Sequence, residues 1–241
     1  MNYVFSCRDL TLEHTEVKNL SLDVHGGEYL CIVGENGAGK TTFMRAVLGL
    51  LPKRKILGGD IVFADDKMPV GYLPQRSPEA SGFPITVWET VLSGRQGRLG
   101  RRPFYGGGDR EAARLAMERL GISGLSSRSF RTLSGGQQQK TLLARALCAA
   151  QDLLMLDEPA SALDPEASGE MYRLVSELHK SGMTVVMITH DAPAAVGFAD
   201  RILHIGRSIF IGSPEDYAKS EQGKLFLMQT GQEGGDVDWT A

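Results

Sequence analysis

Apolar residues along this chain follow two patterns that predict strands. Alternation of apolar and polar positions predicts strands of a small antiparallel sheet at residues 3–12, 19–24, 57–63 and 70–73. The Gly58-Gly59 pair in the third stretch is interpreted as a turn. Continuous apolar runs predict fully buried core strands at residues 29–33, 153–156 and 183–189. Residues 201–206 and 208–212 are predicted to form a final hairpin around Gly206-Arg207.

Apolar residues spaced three and four apart predict helices after several of these strands. The apolar residues of the first predicted helix are Phe43, Ala46, Val47 and Leu50. Those of the second are Leu142, Leu143, Ala146, Leu147 and Ala150, and those of the third are Met171, Leu174, Val175 and Leu178. Pro52 lies just past the end of the first helix, and Pro165 is a favourable first residue of the third, with Asp164 as its N-cap.

Residues 76–150 differ in composition from the segments on either side, and we interpret them as a helical subdomain inserted into the core. Thr86 followed by Glu89 has the spacing of a capping box. Asp109 is interpreted as the N-cap of a helix that Gly121 ends. The segment between these two helices, residues 94–108, is predicted to be a loop whose four arginines form a solvated face.

Composition limits the classes of protein to consider. The 241 residues carry a net charge of −3, which argues against a protein that coats nucleic acid. No apolar run approaches the ~20 residues needed to span a bilayer, and the N-terminus lacks the features of a signal peptide. Cys7, Cys31 and Cys148 lack metal-binding spacing and suggest buried thiols in a reducing compartment. A cytoplasmic location is therefore expected.

Residues 34–41, GENGAGKT, lie between a predicted buried strand and a predicted helix. They match the phosphate-loop pattern G-x-x-x-x-G-K-[ST] in the structural context that the pattern requires. Its glycines allow backbone N–H groups to surround a phosphate, and the helix N-terminus adds partial positive charge. Lys40 would reach the β- and γ-phosphates, and the Thr41 hydroxyl would bind Mg²⁺. The sequence therefore predicts a nucleoside triphosphate site.

Further candidate residues follow the other core strands. Asp157 and Glu158 end one strand at the edge where α/β sheets bind ligands, so Asp157 suits Mg²⁺ coordination and Glu158 suits polarising a water molecule. His190 ends the next strand and is predicted to face the γ-phosphate. Gly135 and Gly136 open a helix after Ser134, which offers a second group of backbone N–H donors for a phosphate.

Together these segments resemble the ATP-binding-cassette (ABC) ATPases over nearly the whole chain. GENGAGKTT resembles Walker A, LLMLDEP resembles Walker B, and LSGGQ matches the family signature. Gln75 corresponds to the Q-loop, SALD to the D-loop and His190 to the switch histidine. The resemblance implies an α/β P-loop NTPase core with a small antiparallel β subdomain and an inserted helical subdomain. We expect one ABC ATPase domain over residues 1–230, followed by a disordered tail at 231–241.

The resemblance also implies a head-to-tail dimer that binds two ATP molecules, each between Walker A of one chain and LSGGQ of the other. The residues expected to bind ATP are His14, Gly34, Glu35, Asn36, Gly37, Ala38, Gly39, Lys40, Thr41, Thr42, Ser134, Gly135, Gly136, Gln137 and Asp164. Those expected to act in catalysis are Glu158, His190 and Gln75, and those expected to hold Mg²⁺ are Thr41, Gln75 and Asp157. The reaction would be phosphoryl transfer to water.

One position departs from the family pattern. ABC ATPases usually place an aromatic residue before the first turn to stack on adenine, whereas this chain has His14 there, in a loop that is shortened at Thr15 to Lys18. An imidazole offers less stacking area than tyrosine. Weak discrimination between adenine and other bases is therefore expected.

Residues 71–75 (GYLPQ), 83–87 (FPITV) and 94–95 (GR) resemble the ATPase subunits of zinc and manganese importers, and iron-siderophore importer ATPases are the alternative. A soluble ABC protein acting on ribosomes or DNA fits less well, because such proteins generally need two cassettes or a long coiled-coil insertion. The expected partners are polytopic permease subunits, a second copy of the chain and, indirectly, an extracytoplasmic substrate-binding protein, with no nucleic acid. The chain would then lie on the cytoplasmic face of the cell membrane, with residues 74–102 forming the permease-docking face.

Overall fold

The computed structural model describes residues 3–75 and 85–231, with side chains through residue 228. Residues 232–241 of the tail predicted to be disordered at 231–241, and residues 76–84 of the predicted permease-docking face, lie outside these ranges. The chain forms two compact units: unit 1 contains Met1–Lys67 and Ser176–Ala241, and unit 2 contains Met68–Val175. No helix within the described ranges is long and apolar enough to cross a membrane.

The described elements mix strands and helices along the chain. The strands are β1 Tyr3–Leu12, β2 Leu20–His25, β3 Tyr29–Val33, β4 Ile56–Phe63, β5 Val70–Leu73, β6 Leu153–Asp157, β7 Thr184–Ile188, β8 Arg201–His204 and β9 Phe210–Gly212. The helices are α1 Lys40–Val47, α2 Val87–Leu92, α3 Gly107–Arg119, α4 Gly135–Ala149, α5 Pro165–Lys180, α6 Ala192–Phe198, α7 Pro214–Lys219 and α8 Glu221–Gly231. Single 3-10 turns lie at Lys53–Lys55, Ser123–Leu125 and Phe130–Thr132, and a longer one at Ser93–Arg98.

Unit 1 contains an antiparallel sheet with the strand order β2-β1-β4. The predicted turn at Gly58-Gly59 is wrong, because β4 runs through both glycines and pairs with β1 on either side of them. The irregularity is instead a register shift in β1, between Arg8 and Thr11. A β-bulge absorbs an extra residue without reversing the chain, which explains why a glycine pair can lie inside a strand.

Unit 1 also contains parallel strands. β3 pairs in parallel with β7 and with β8, and β9 adds to β8 in antiparallel orientation as the predicted hairpin. All residues of β3 and β7 are buried, as expected for parallel strands covered on both faces. The carboxyl ends of β3 and β7 therefore lie at the same edge of the sheet.

The first helix is shorter than its apolar pattern predicted. α1 ends at Val47, and Leu50 is 53% exposed rather than part of the buried face. Gly49 follows the helix with φ of +67°, a conformation that ends helices readily because glycine lacks a Cβ. The helices α7 and α8 were not predicted, and both pack against each other in unit 1.

In unit 2, β5 pairs in parallel with β6, from Val70 opposite Leu153 to Leu73 opposite Leu156. The prediction that residues 70–73 extend the antiparallel sheet is therefore wrong. The strand is too short for its sequence to report its partner, and pairing is decided by long-range contacts. α4 packs against β5, α2 and α3 and forms the centre of this unit.

Two predicted helix starts in unit 2 have different outcomes. The capping box of α2 is confirmed, since Thr86 Oγ1 accepts from Glu89 N and Glu89 Oε2 accepts from Thr86 N. Asp109 is not the N-cap of α3, because the helix begins three residues earlier, after Gly106. The Asp109 carboxylate instead accepts from Gly106 N at 2.9 Å.

The arginines of residues 94–108 do not form a purely solvated face. Asp109 is 3% exposed and pairs with Arg95 and Arg102, both at 3.1 Å. Arg98 donates to the carbonyls of Ala149 and Ala150 at the end of α4. These arginines therefore tie the segment to α3 and α4, and the backbone N–H of Gly106 and the arginines hold the pKa of Asp109 below its usual value.

Candidate functional site

The phosphate loop connects the buried strand β3 to α1, as the sequence predicted. Its two closest backbone approaches occur at glycines with left-handed φ, +136° at Gly34 and +107° at Gly39. A Cβ on Gly34 would lie 2.0 Å from the Ile205 carbonyl oxygen, and a Cβ on Gly39 would lie 2.5 Å from Thr15 Cβ. The loop is thus closed by its neighbours on one side while Glu35, Asn36 and Gly37 are exposed on the other.

Lys40 is the first residue of α1 and lies inside this loop. Its side chain is 5% exposed, and its Nζ donates to the carbonyl oxygens of Gly34 at 2.7 Å and Glu35 at 2.9 Å. These bonds position the ammonium group across the loop. The N-terminus of α1 adds partial positive charge, so the loop and helix form an environment that favours an anion. Thr41 and Thr42 follow in the first turn and are half-buried.

The segment that contains His14 is attached to the phosphate loop. Glu16 N donates to the Ala38 carbonyl at 3.0 Å, and Thr15 packs against Gly39. His14 itself has φ of +55°, and its side chain is 87% exposed. The imidazole is therefore accessible and lies one residue from a direct contact with the loop, where a base-stacking side chain is expected.

His190 follows β7, so it lies at the same edge of the unit 1 sheet as the phosphate loop. Thr189 N donates to the Ile32 carbonyl, which ties the end of β7 to the end of β3. Asp191 caps α6 by accepting from Ala194 N at 2.9 Å, and burial raises the pKa of Asp191. The half-buried imidazole is thus fixed between a strand end and a capped helix start.

In unit 2, the parallel pair of β5 and β6 brings two predicted catalytic residues together. Gln75 Nε2 donates to Glu158 Oε2 at 2.5 Å. Glu158 has φ of +52°, which is uncommon for a residue with a Cβ and costs of order 1–3 kcal/mol. Asp157, one residue earlier, is only 1% exposed. The left-handed turn at Glu158 separates the buried carboxylate from the accessible one.

The LSGGQ segment begins α4 as predicted. Ser134 Oγ accepts from Gln137 N, and Gln137 Oε1 accepts from Ser134 N, so the two side chains form a capping box. Ser134 and Gly135 are exposed, and Gly136 and Gln137 are half-buried. The capping box therefore fixes the start of this helix, and its first residues are accessible.

Asp164 lies at the start of α5, beside the same segment. Its Oδ1 accepts from Ala167 N at 2.9 Å, which is the bond expected of an N-cap residue. A Cβ on Gly135 would lie 3.9 Å from Leu163 Cδ2. The LSGGQ and SALD segments are therefore adjacent within unit 2.

The residues predicted to hold Mg²⁺ offer only oxygen atoms from their hydroxyl, carboxylate and amide groups. Each of Thr41 in unit 1 and Asp157 and Gln75 in unit 2 thus carries a ligand atom of the kind that a hard cation prefers, and Asp157 is 1% exposed. No group of three or more His, Cys, Asp or Glu side chains within residues 3–75 and 85–231 is arranged to hold a metal ion.

Comparison with known proteins identifies the family. The sequence profile of the ABC transporter family matches residues 17–161. This chain belongs to the ABC transporter family. It is an ABC ATPase, and relatives that match over most of its length are ATP-binding proteins of transport systems.

Among these relatives, the manganese transport system ATP-binding protein MntB of Bacillus subtilis is 36% identical and aligns over 88% of this chain and 89% of its own length. The zinc transport system ATP-binding protein TroB of Treponema pallidum is 34% identical, over 83% of this chain and 77% of its own length. The zinc import ATP-binding protein ZnuC of Chromohalobacter salexigens is 35% identical, over 86% and 81%.

Solved structures confirm the ABC ATPase fold. An ABC transporter assigned to the metal-chelate type, in an inward-facing conformation, is 30% identical with a TM-score of 0.85, over 95% of this chain and 90% of that chain. The ADP-bound ATP-binding cassette MJ1267 is 21% identical with a TM-score of 0.77 and supports the fold alone. The predicted fold class and the predicted ATPase activity are thus confirmed.

Sequence reasoning did not identify every residue that positions this ABC site. Thr15, which packs on Gly39, and the left-handed backbone of Glu158 were not predicted. No local pattern marks either feature, and the contact of Thr15 with Gly39 joins segments that are distant in the sequence. The roles of the individual site residues remain predictions.

Proposed function

We propose that this chain is the ATPase subunit of a membrane importer for a divalent metal ion, manganese or zinc. The observation that carries the proposal is its similarity to manganese and zinc transport ATP-binding proteins, over 77% or more of the lengths of MntB, TroB and ZnuC. The subunit would lie on the cytoplasmic face of the membrane, bound to polytopic permease subunits. A substrate-binding protein would supply the metal ion to this permease.

In the proposed reaction, ATP lies between the phosphate loop of one chain and Ser134 to Gln137 of a second copy. Lys40 neutralises charge on the β- and γ-phosphates, and His190 contacts the γ-phosphate. Thr41, Gln75 and Asp157 would hold Mg²⁺, which would further neutralise phosphate charge. Glu158 orients the attacking water and accepts its proton. The protein contributes position and charge rather than covalent chemistry.

The bond between Gln75 and Glu158 suggests how the site connects to the helical segments of unit 2. Gln75 begins the segment that leads to α2, so displacement of that segment changes the hydrogen bonding of the proposed base. A permease that moves α2 would thereby affect hydrolysis.

A pocket in unit 2 is a suitable contact for the permease. It has a volume of about 440 Å³ and is lined by Thr86, Trp88, Arg114, Met117, Ser123, Ser126 and Ser127. Thr86 and Trp88 belong to the docking segment predicted from the sequence. The mixture of an indole, a methionine and polar rim residues suits an apolar side chain of a cytoplasmic permease helix.

A cysteine at Ser127 tests this contact in membranes that contain the assembled transporter. We expect cross-linking to the permease, and loss of that cross-link when Trp88→Ala alters the pocket. Equal cross-linking from a cysteine placed in the antiparallel sheet, at Ser21, would argue against a specific docking site.

An importer of metal chelates is the second candidate, favoured by the TM-score of 0.85 to the metal-chelate type transporter. Deletion of the gene, growth with a metal chelator and rescue by single additions separate the two. Rescue by manganese or zinc supports the proposal, and rescue by an iron chelate alone supports the second candidate. The control is the deletion strain complemented with the Lys40→Ala gene. In the presence of the chelator it should grow no better than the deletion strain itself.

A further inference from the structure

The N-terminus of α4 and the start of α5 are close neighbours in unit 2. A Cβ on Gly136 would lie 3.5 Å from Ala167 Cβ, and glycine has no such atom. Gly135 and Gly136 have no side chains, so these two positions of LSGGQ supply no side-chain hydrogen bond or ion pair to the SALD segment. A side-chain link further along the two helices would help to fix their relative position.

Lys140 of α4 and Glu170 of α5 form an ion pair at this place, with Nζ and Oε1 2.5 Å apart. The Lys140 side chain is 20% exposed and the Glu170 side chain is 48% exposed, so the pair is partly shielded from water. Lys140 lies six residues after Ser134, and Glu170 lies six residues after Asp164. At 1.5 Å per residue, each partner is about 9 Å along its helix from the segment that it would position.

We propose that the Lys140–Glu170 pair holds the LSGGQ and SALD segments in one fixed arrangement, so that both meet the same nucleotide site of a partner chain. This inference rests on the proposed composite site, in which residues of two chains bind one ATP molecule. Neither side chain needs to touch ATP, and both are positioning residues. A displacement of the signature segment by about 1 Å would weaken its contacts in the transition state without affecting the phosphate loop that binds ATP in the same chain.

An alternative physical effect is the positive charge of Lys140 acting on phosphate at a distance. The two effects differ when the charges are exchanged. Lys140→Glu combined with Glu170→Lys keeps the link between the helices but moves the cation to α5. A positioning role predicts recovery of activity in the exchanged pair, whereas a direct charge effect predicts none.

Steady-state ATP hydrolysis by the full-length chain tests the proposal. We expect Lys140→Gln and Glu170→Gln each to lower kcat about three- to fivefold, the range of a partly exposed ion pair, with little change in KM for ATP. The exchanged pair should recover most of the wild-type kcat. The matched control is Arg8→Gln, which breaks the ion pair with Asp23 between β1 and β2, 2.8 Å apart, and should leave kcat unchanged.

Unchanged kcat in both single variants, or an exchanged pair as slow as either of them, would overturn the positioning role. The positioning role would also be overturned if Arg8→Gln lost as much kcat and as much thermal stability as the Lys140 and Glu170 variants. Ser134→Arg, measured in parallel, tests the composite site on which the inference rests. Full activity of Ser134→Arg would refute that site, whereas loss of its activity with unaffected Lys140 and Glu170 variants would refute only the ion-pair role.

Discussion

Replacement of Gly39 by alanine gives a direct test of how the phosphate loop is held. Gly39 has φ of +107°, and an added Cβ would lie 2.5 Å from Thr15 Cβ and 2.7 Å from Thr15 Cγ2. Thr15 cannot easily move away, because its Oγ1 donates to the Leu12 carbonyl and accepts from Val17 N, both at 3.1 Å. The substitution therefore combines backbone strain with a steric clash.

The structure provides a control that separates these two costs. Gly37 has φ of +82°, and a Cβ there would meet nothing within 4 Å. Strain at a left-handed position costs about 1–3 kcal/mol and should affect both variants. Displacing packed atoms adds about 1–3 kcal/mol, and only Gly39→Ala should show this second cost.

Urea unfolding without nucleotide measures the difference. We expect Gly39→Ala to lower the free energy of unfolding by about 2–6 kcal/mol, and Gly37→Ala by about 1–3 kcal/mol. Equal destabilisation by the two variants would refute the contact between Thr15 and Gly39. It would also remove the structural basis for placing His14 beside the nucleotide.

Lys40→Ala should abolish ATP hydrolysis, because it removes the buried cation that crosses the phosphate loop; near-normal turnover in the assembled transporter would contradict the site. His14 should give weak selectivity for the base, because an imidazole supplies less stacking energy than a larger ring. Competition between GTP and ATP should therefore show a preference for ATP of less than about a hundredfold. Burial, and the nearby Lys40 cation, lower the pKa of His204, while Glu35 opposes this. The unfolded chain then binds a proton at higher pH than the folded chain, so stability should fall as pH drops from about 7 through the lowered pKa. His204→Phe keeps a ring beside Tyr217 and should flatten this dependence in urea unfolding at pH 7.5 and 5.5; an unchanged slope would contradict it.

Features set by neighbouring residues could be predicted from the sequence. The phosphate loop needs a glycine pattern with a lysine and a threonine, and the capping box of Thr86 and Glu89 needs only a three-residue spacing. Both were found where the sequence placed them. The strand that carries Asp157 was predicted equally well, because a continuous apolar run identifies a buried strand.

Features set by distant residues could not be predicted. Asp109 looked like an N-cap, but Arg95 and Arg102 reach it from another segment and its helix begins earlier. The bond between Gln75 and Glu158 depends on the pairing of β5 with β6, which a four-residue strand does not specify. Long-range pairing thus decided the details of the candidate site, while local chemistry decided its main components.

The central claim is that one ATP molecule is hydrolysed by residues of two chains. Glu158→Gln preserves the shape of the proposed base but removes its basicity, so this variant should bind ATP and remain as a dimer. Ser134→Arg places a bulky cation at the exposed N-terminus of α4 and should block that dimer. Size-exclusion chromatography with light scattering, with and without ATP, measures both. We predict an ATP-dependent dimer for Glu158→Gln and a monomer for Ser134→Arg. A Ser134→Arg chain that dimerises normally would contradict the two-chain site, and so would a wild-type monomer that hydrolyses ATP at full rate.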